Sequence, residues 1–377
     1  MIPFTKPTHI GSELESLSKV YAKEDFTQSI DDVNEYLQSS TGYNSSFFCN
    51  SCSDALEIAA LSMGINDNDE IIVPDYTFVT TASAFALRNS KVIFCDVKDD
   101  LCLDLSIAEQ LITSKTKAIV WVDYGGSANR IKEARDLCDK YNLILVQDSA
   151  QSAGNWYSNE KSDLYLGDFV TLSFHSTKNI TSGGEGGALL VNDPNFKDTV
   201  EVIFEKGTNR RSFIRNEIDK YTWQRLGSSY AGSYSQASLL IPQLYDLKRI
   251  TSERCTIWEH YYKSISKINN FSNCGWQMAK KDNMANGHIF WLLAPSISEK
   301  NNLLDHCFSE GIQLTSHYQS LSLSPAGKKY GLSPMSLQKS IKAADCLLRL
   351  PIWYGMDTKT VQKVSDEVSV YFTNINF

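Results

Sequence analysis

Over the first 245 residues, short runs of consecutive apolar residues alternate with stretches whose apolar positions recur every three to four residues. DEIIVPDY, KVIFCDV, KAIVWVDY, LILVQDS, FVTLSFH and GGALLVND are the runs; SIAEQLITSK and RIKEARDLCDKYN are two of the intervening stretches. Short runs rich in β-branched and aromatic residues predict strands, and helical patterns between them predict crossovers, so the sheet should be largely parallel. AIVWV and LILV are apolar at successive positions, as strands covered by helices on both faces require. PQLYDLKRITSERCTIWEHYYKSISKI then reads as one long helix. Beyond it lie shorter strands such as HIFWLLAP, amphipathic helices and an Asn/Ser/Lys-rich loop near 264–286. The pattern predicts a large α/β domain over 1–248 and a smaller α+β domain over 249–377.

Composition narrows the function. A chain of 377 residues, 42% hydrophobic and 21% charged, can bury a large core and a smaller one. A formal charge of −8 argues against a general nucleic-acid binder, though a local basic pocket for one anion remains open. Nine cysteines without framework spacing predict reduced thiols. Cys49 and Cys52 form a lone CxxC with no second pair, and the six histidines lack metal-binding spacing, so no metal is expected. The N-terminus has no signal-peptide pattern and no apolar run approaches the ~18 residues of a membrane span. The expectation is a cytoplasmic protein that binds neither membrane nor nucleic acid.

In open α/β sheets, ligands gather at the carboxyl ends of strands. Asp148 follows one strand in LILVQDSAQSAG, with Gln151 three residues on. Ser173 closes another, ahead of Lys178 and the glycines of SGGEGG; Ser53 begins a helix in CNSCSDALEIAAL; VPDYTFVTTAS offers Phe78. A deprotonated lysine condenses with a carbonyl to give a Schiff base. Pyridoxal phosphate is held in this way, and it needs an acid at its ring nitrogen, a phosphate cradle and a stacking group. Asp148 would serve the nitrogen, Ser53 with the amides of Ser53 and Asp54 the phosphate at a helix N-terminus, Ser173 a further hydroxyl, Phe78 the ring face and Gln151 the phenolic oxygen. Singly, each has a plainer role: Asp148 a cap or ion-pair partner, Ser53 an N-cap, Phe78 core packing, SGGEGG a tight turn. SGGEGG precedes a strand rather than a helix and is weak evidence for a dinucleotide, and an NAD-linked oxidoreductase would need a glycine fingerprint opening a helix near the N-terminus, where none appears.

SDALEIAAL, DEIIVPDYTFVTTASAF, QDSAQSAG and SFHSTKNITSGGEGGALLVND resemble, in order and spacing, the DegT/DnrJ/EryC1/StrS family of sugar-nucleotide aminotransferases. The resemblance runs nearly end to end. It implies the pyridoxal-phosphate-dependent transferase fold of type I, as in aspartate aminotransferase, with Lys178 as the Schiff-base lysine, Asp148 at the ring nitrogen, Gln151 at the phenolic oxygen, Phe78 stacking, and Ser53, Asp54 and Ser173 at the phosphate. It further implies a homodimer in which Ser229 reaches the phosphate of the partner. EKGTNRRSF, DKYTWQRLGSSY, SPAGKKYG and LLRLPIWY resemble the branch that aminates C4 of dTDP-4-dehydro-6-deoxyglucose with L-glutamate, releasing 2-oxoglutarate.

The chain departs from the family pattern near the expected sugar pocket. A glycine-rich segment near residue 25 is shortened to YAKEDFT, Asp123 in WVDYGG stands where histidine is common, and in SHYQSLSLS His317 is kept, beside Tyr318, while Ser322 replaces a second histidine. The basic stretch KGTNRRSFIRNEIDK, with Lys206, Arg210, Arg211 and Arg215, is a candidate diphosphate contact or a solvated charge run. A sugar dehydratase on the same scaffold would carry histidine at the lysine position; His175 is near but not there. Amination at C3 rather than C4 and a cofactor-binding sensor without catalysis are the remaining alternatives.

Overall fold

The computed structural model describes residues 1–22, 28–157, 164–281 and 285–374. The shortened segment YAKEDFT lies, from residue 23 on, outside the described residues.

Seven strands come from the first half of the chain: β1 (Ser45–Cys49), β2 (Glu70–Pro74), β3 (Lys91–Cys95), β4 (Thr116–Val122), β5 (Ile144–Asp148), β6 (Phe169–Ser173) and β7 (Gly187–Val191). With the later two-residue β10 (Gly331–Leu332) they form one sheet in the order β1-β7-β6-β5-β4-β2-β3-β10. Every pairing is parallel except those of β7, which runs against both β1 and β6. Helices cover the sheet, and in β4 only Lys117 is not fully buried; Trp121 and Ile119 face one cluster of the core, Val120 and Ala118 the other. That double burial explains the unbroken apolar run in the sequence. The apolar part of β1 is only Phe47, Phe48 and Cys49, too short to stand out as a strand beforehand.

Three further strands, β8 (Gln277–Met278), β9 (Phe290–Leu293) and β11 (Leu347–Leu350), make a small antiparallel sheet in the order β11-β9-β8. The single long helix expected from 242 onward is in fact two, Tyr234–Tyr245 and Leu247–Ile265, broken at Asp246, whose φ of −96° and ψ of 2° are not helical. Aspartate competes with its own backbone for hydrogen bonds and so favours helix ends. The expected boundary at 248/249 falls in the first turn of the second of these helices, and β10 carries the later part of the chain back onto the large sheet beside β3. Between 264 and 286 the described residues are mainly turns, with β8 among them.

Because β1, β2, β4, β5 and β6 run the same way, their carboxyl ends open on one edge of the sheet. The residues that follow them converge there.

Candidate active site

A cavity of about 570 Å³ lies at that edge. One wall comes from the strand ends: Ser51 to Ser53 after β1, Phe78 after β2, Asp148 at the end of β5, and Ser173 with Lys178 after β6. The facing wall is built from the later part of the chain and includes Arg254, His288, His317, Tyr318 and Arg349.

Asp148 is 4% exposed. One carboxylate oxygen accepts the Thr81 hydroxyl at 2.7 Å and the other the Ala150 N–H at 3.2 Å, so the group is fixed before any ligand arrives. Burial pushes its pKa up, while Thr81, the Ala150 amide and nearby Lys178 pull it down. Lys178 faces it from the loop after β6, where its own N–H donates to the His175 carbonyl at 2.9 Å. Burial lowers the Lys178 pKa, Arg349 pushes the same way, and Cys52 and Asp148 oppose them. A lysine shifted in this direction spends more of its time neutral, the form that attacks a carbonyl.

Gln151 is oriented by its neighbour. Its Oε1 accepts the Gly125 N–H at 2.8 Å, which turns the amide NH₂ toward the cavity, where it donates to the Tyr318 hydroxyl. Gly125 has φ of +67°, a conformation other residues resist. Ser173 lines the same wall and accepts the His175 N–H at 3.4 Å.

The helix Cys52–Ser62 aims its N-terminus at the cavity. Its N-cap is Ser51, not Ser53: the Ser51 hydroxyl accepts the Asp54 N–H at 3.0 Å. This corrects the expected cradle, because the Asp54 amide is already taken while Cys52 and Ser53 sit in the first turn, where N–H groups have no partner within the helix. The Asp54 side chain is not part of the cavity lining, and burial raises its pKa to about 6. The glycine at the start of β7 has its reason here: a Cβ on Gly187 would lie 2.3 Å from the Cys52 amide nitrogen, so only glycine lets the strand pass under the helix end. Together with a fixed buried carboxylate and a lysine of lowered pKa, this cradle suits a phosphate-bearing carbonyl cofactor such as pyridoxal phosphate.

Phe78 is not core packing. It is 51% exposed at the rim, with its ring centroid 6.2 Å from that of Tyr318. His317 and Tyr318 stack at 3.7 Å, and the Tyr124 hydroxyl shares a 2.8 Å hydrogen bond with His317 Nδ1. Burial holds His317 well below the usual histidine range, hence neutral.

Other expected residues lie elsewhere. Asp123 turns away from the cavity and is wholly buried, accepting from Trp121 Nε1 at 3.0 Å, Gln147 Nε2 at 3.0 Å and Ser149 Oγ at 2.6 Å. Ser322 donates its N–H to Asp75 at 2.7 Å and so anchors the 316–322 segment rather than a sugar. Lys206 and Arg210 are exposed and line no part of this cavity. Arg210 and Arg211 pair with Glu205, and Arg215 with Glu201 and Glu217, which neutralises the basic stretch from within. Ser229 is exposed outside its own cavity, its carbonyl held by Asn50 at 3.1 Å.

No motif or spacing marked Thr81, Arg254, His288 or Arg349 in advance. The one trace of Arg349 is a charged residue inside the apolar run LLRLP. Among the described residues no group of histidine, cysteine or acidic side chains could hold a metal, and no helix is long and apolar enough to cross a membrane.

A model of the DegT/DnrJ/EryC1/StrS aminotransferase family matches residues 12–369. The chain belongs to this family. It is accordingly a pyridoxal-phosphate-dependent sugar-nucleotide aminotransferase with the type I fold. It is 27% identical over 373 residues to UDP-4-amino-4,6-dideoxy-N-acetyl-β-L-altrosamine transaminase of Campylobacter jejuni, covering 97% of this chain and 96% of that one. It is 26% identical over 322 residues to dTDP-3-amino-3,4,6-trideoxy-α-D-glucose transaminase of Streptomyces venezuelae, covering 85% and 80%. The structure of S. venezuelae DesV superposes with a TM-score of 0.87 at 22% identity, over 100% of this chain and 99% of that one, which shows a shared fold.

Proposed function

We propose that this aminotransferase moves an amino group from L-glutamate to C4 of dTDP-4-dehydro-6-deoxyglucose, giving a dTDP-4-amino-4,6-dideoxyhexose for surface polysaccharide synthesis. The observation that carries the reaction is the placing of Lys178 and the fixed carboxylate of Asp148 on one wall of a single cavity. The preference for C4 of a dTDP sugar rests on the likeness of LLRLPIWY and its companion segments to that branch; the two relatives above are named for UDP and dTDP sugars.

Pyridoxal phosphate, when bound, supplies an aldehyde for the amine and a ring that takes up the electrons left when a C–H bond next to nitrogen breaks. Cys52 and Ser53 would hold its phosphate, Phe78 its ring face, Gln151 its phenolic oxygen and Asp148 the proton on its ring nitrogen. Lys178 Nζ takes the proton from Cα of the donor in the first half of the reaction and delivers one to C4 of the sugar in the second. Holding one amine beside both carbons makes each transfer effectively intramolecular.

The active form in this reading is a homodimer. Ser229 stands outside its own cavity, and the chain just before it exposes Trp223 at 75% and Leu226 at 70%. A second copy would cover it and bring its Ser229 to the neighbouring phosphate.

The decisive experiment is the NMR spectrum of the product formed from dTDP-4-dehydro-6-deoxyglucose and L-glutamate. Nitrogen on C4 is the expected result. Nitrogen on C3, or no amination with this substrate, rejects the proposed sugar while leaving the family assignment untouched.

A further inference from the structure

Asn179, the residue after Lys178, is buried and holds a histidine of the facing wall. Its Nδ2 donates to the Asn286 carbonyl at 3.0 Å. A carbonyl only accepts, so the amide is turned one way, and Oδ1 is the atom left for His288, whose Nδ1 lies 2.9 Å from it. An amide oxygen also only accepts, and Nδ1 therefore carries the proton. The backbone on either side is fixed as well. The His288 N–H donates to Asn286 Oδ1 at 3.1 Å and its carbonyl accepts an Arg254 Nη at 2.9 Å, while Asn286 Nδ2 donates to the carbonyls of Gln151 and Ala153 at 2.8 and 3.0 Å. Burial, with Lys178, Arg254 and Arg349 nearby, holds the imidazole well below the usual histidine range, hence neutral. A neutral ring with its proton on Nδ1 has a bare lone pair on Nε2. His288 lines the cavity, and its Nε2 makes no hydrogen bond among the described residues.

We infer that His288 Nε2 accepts a hydrogen bond from a ring hydroxyl of the nucleotide sugar, and that Asn179 is the positioning residue that keeps it an acceptor. The two substrates differ in what they can donate. At neutral pH L-glutamate carries two carboxylates and one ammonium, and the ammonium is the group that reacts, so no other donor is left on it. A lone pair gains nothing from a carboxylate. The sugar dTDP-4-dehydro-6-deoxyglucose keeps hydroxyls at C2 and C3, and each can donate. Arg254 and Arg349 on the same wall only donate, and His288 supplies the complementary lone pair. A site built to pair with a hydroxyl rejects an analogue that lacks it, because the buried acceptor is then left alone. His288 thus acts in the sugar half of the reaction and is silent in the amino-acid half.

This inference rests on the sugar half of the proposed reaction, and its test separates the two. Protein loaded with pyridoxamine phosphate is mixed with dTDP-4-dehydro-6-deoxyglucose, protein loaded with pyridoxal phosphate with L-glutamate, and the cofactor's colour is followed in each. His288→Phe, which keeps a ring without the lone pair, should raise the half-saturating sugar concentration by roughly 5- to 50-fold, the range for a hydrogen bond lost from a buried site, and that of glutamate by less than about threefold. His288→Gln, whose amide oxygen accepts, should recover part of the loss. Asn179→Asp sets a carboxylate against Nδ1, so His288 takes a second proton more readily. In the native protein Lys178, Arg254 and Arg349 oppose that proton, and His317 is the other titratable group near the ring. Below the raised pKa Nε2 donates instead of accepting, so in Asn179→Asp the half-saturating sugar concentration should rise as pH falls and recover as pH rises, a step the native protein lacks. Nitrogen-15 NMR of histidine-labelled protein without substrate reads the tautomer directly, the His288 signals being those lost in His288→Gln, and an unprotonated Nε2 is expected. Borohydride fixation of the cofactor on Lys178 checks that each variant has folded. A proton on Nε2 in the native protein, or an equal loss in both half-reactions for His288→Phe, overturns the inference. If the native protein leaves the dTDP sugar untouched, the proposed sugar fails, and the same comparison is made with UDP- and GDP-linked 4-dehydro-6-deoxy sugars. The NMR arm needs no sugar, so a wrong substrate is told apart from a wrong role for His288.

Discussion

The two walls of the cavity are made differently. On the sheet side each group is fixed by residues near it in the fold's regular part: Asp148 by Thr81 and the Ala150 amide, Gln151 by Gly125, the start of the helix Cys52–Ser62 by Ser51. On the facing side Arg254 and Arg349 hang from backbone carbonyls, and His317 leans on Tyr124 across 193 positions of sequence. The sheet side carries two carboxylates, Asp148 and Glu185, beside Lys178, while the facing side has two cations, Arg254 and Arg349, and no anion of its own. The contrast teaches a division of labour: a wall whose groups are fixed by the regular part of the fold, and a facing wall whose cations are held by backbone carbonyls rather than by carboxylates.

The largest expected effect breaks or supports that division directly. Lys178→Ala removes the covalent anchor and the proton carrier together, and turnover should fall by at least about 10³-fold. Because the phosphate cradle and Asp148 remain, the variant should still bind pyridoxal phosphate, but borohydride should fix none of it to the chain. A variant that keeps turnover within tenfold would mean that the lysine is not the carrier and that the sheet wall does not hold the chemistry.

The sheet wall was legible in the sequence because each of its residues follows a run whose character is local. QDSAQSAG follows an apolar strand, and SFHSTKNITSGGEGG closes one, so strand ends could be counted and their polar groups collected. Even there the cradle shifted: Asp54 was expected to offer its amide to the phosphate, but the Ser51 hydroxyl, three residues earlier, takes that N–H as the helix cap. Arg349 was illegible for a stronger reason. Its partner Ser316 is 33 positions away, Phe4 lies at the other end of the chain, and no spacing rule joins three such residues. Asp123 shows the opposite error: it sits one residue past Val122, which does line the cavity, and in a strand one step turns a side chain to the other face.

Asp123 gives a smaller effect that sharpens the comparison behind the sheet wall. Burial raises its pKa to about 7, with the Ser149, Gln147 and Trp121 donors opposing. In an unfolded chain an aspartate titrates near ~3.9. Between those two values the folded state binds more protons than the unfolded one, so stability falls as pH rises through that window, by up to about 1.4 kcal/mol per pH unit, and levels off above it. Asp123→Asn does not titrate. At about pH 5 it should be the less stable protein, by roughly 1–3 kcal/mol, because one donor must face the amide NH₂. By about pH 8 the gap should narrow or reverse. Thermal unfolding of both proteins across that range checks the sign; parallel curves would show that Asp123 does not titrate in this window.

The smallest expected effect concerns charges that look suited to a nucleotide and are already occupied. Arg210 is half exposed and pairs with Glu205 at 3.5 Å, while Glu205 also holds Arg211 at 3.0 Å. An exposed pair of this kind contributes from nothing to about 1 kcal/mol, and its carboxylate keeps the second arginine when the first is removed. Arg211 is further fixed by packing over Phe204 at 5.1 Å and Phe47 at 5.5 Å, so it cannot leave to replace its neighbour. Arg210→Ala should therefore change the KM for the nucleotide sugar less than twofold and stability by less than about 0.5 kcal/mol. Arg210 illustrates one rule: a cation recognises a substrate in proportion to the hydrogen-bonding capacity its own chain leaves unused. A tenfold rise in KM for Arg210→Ala would break that rule, and would put this exposed arginine at the mouth of a neighbouring subunit's cavity, where its pairing with Glu205 gives way to a diphosphate.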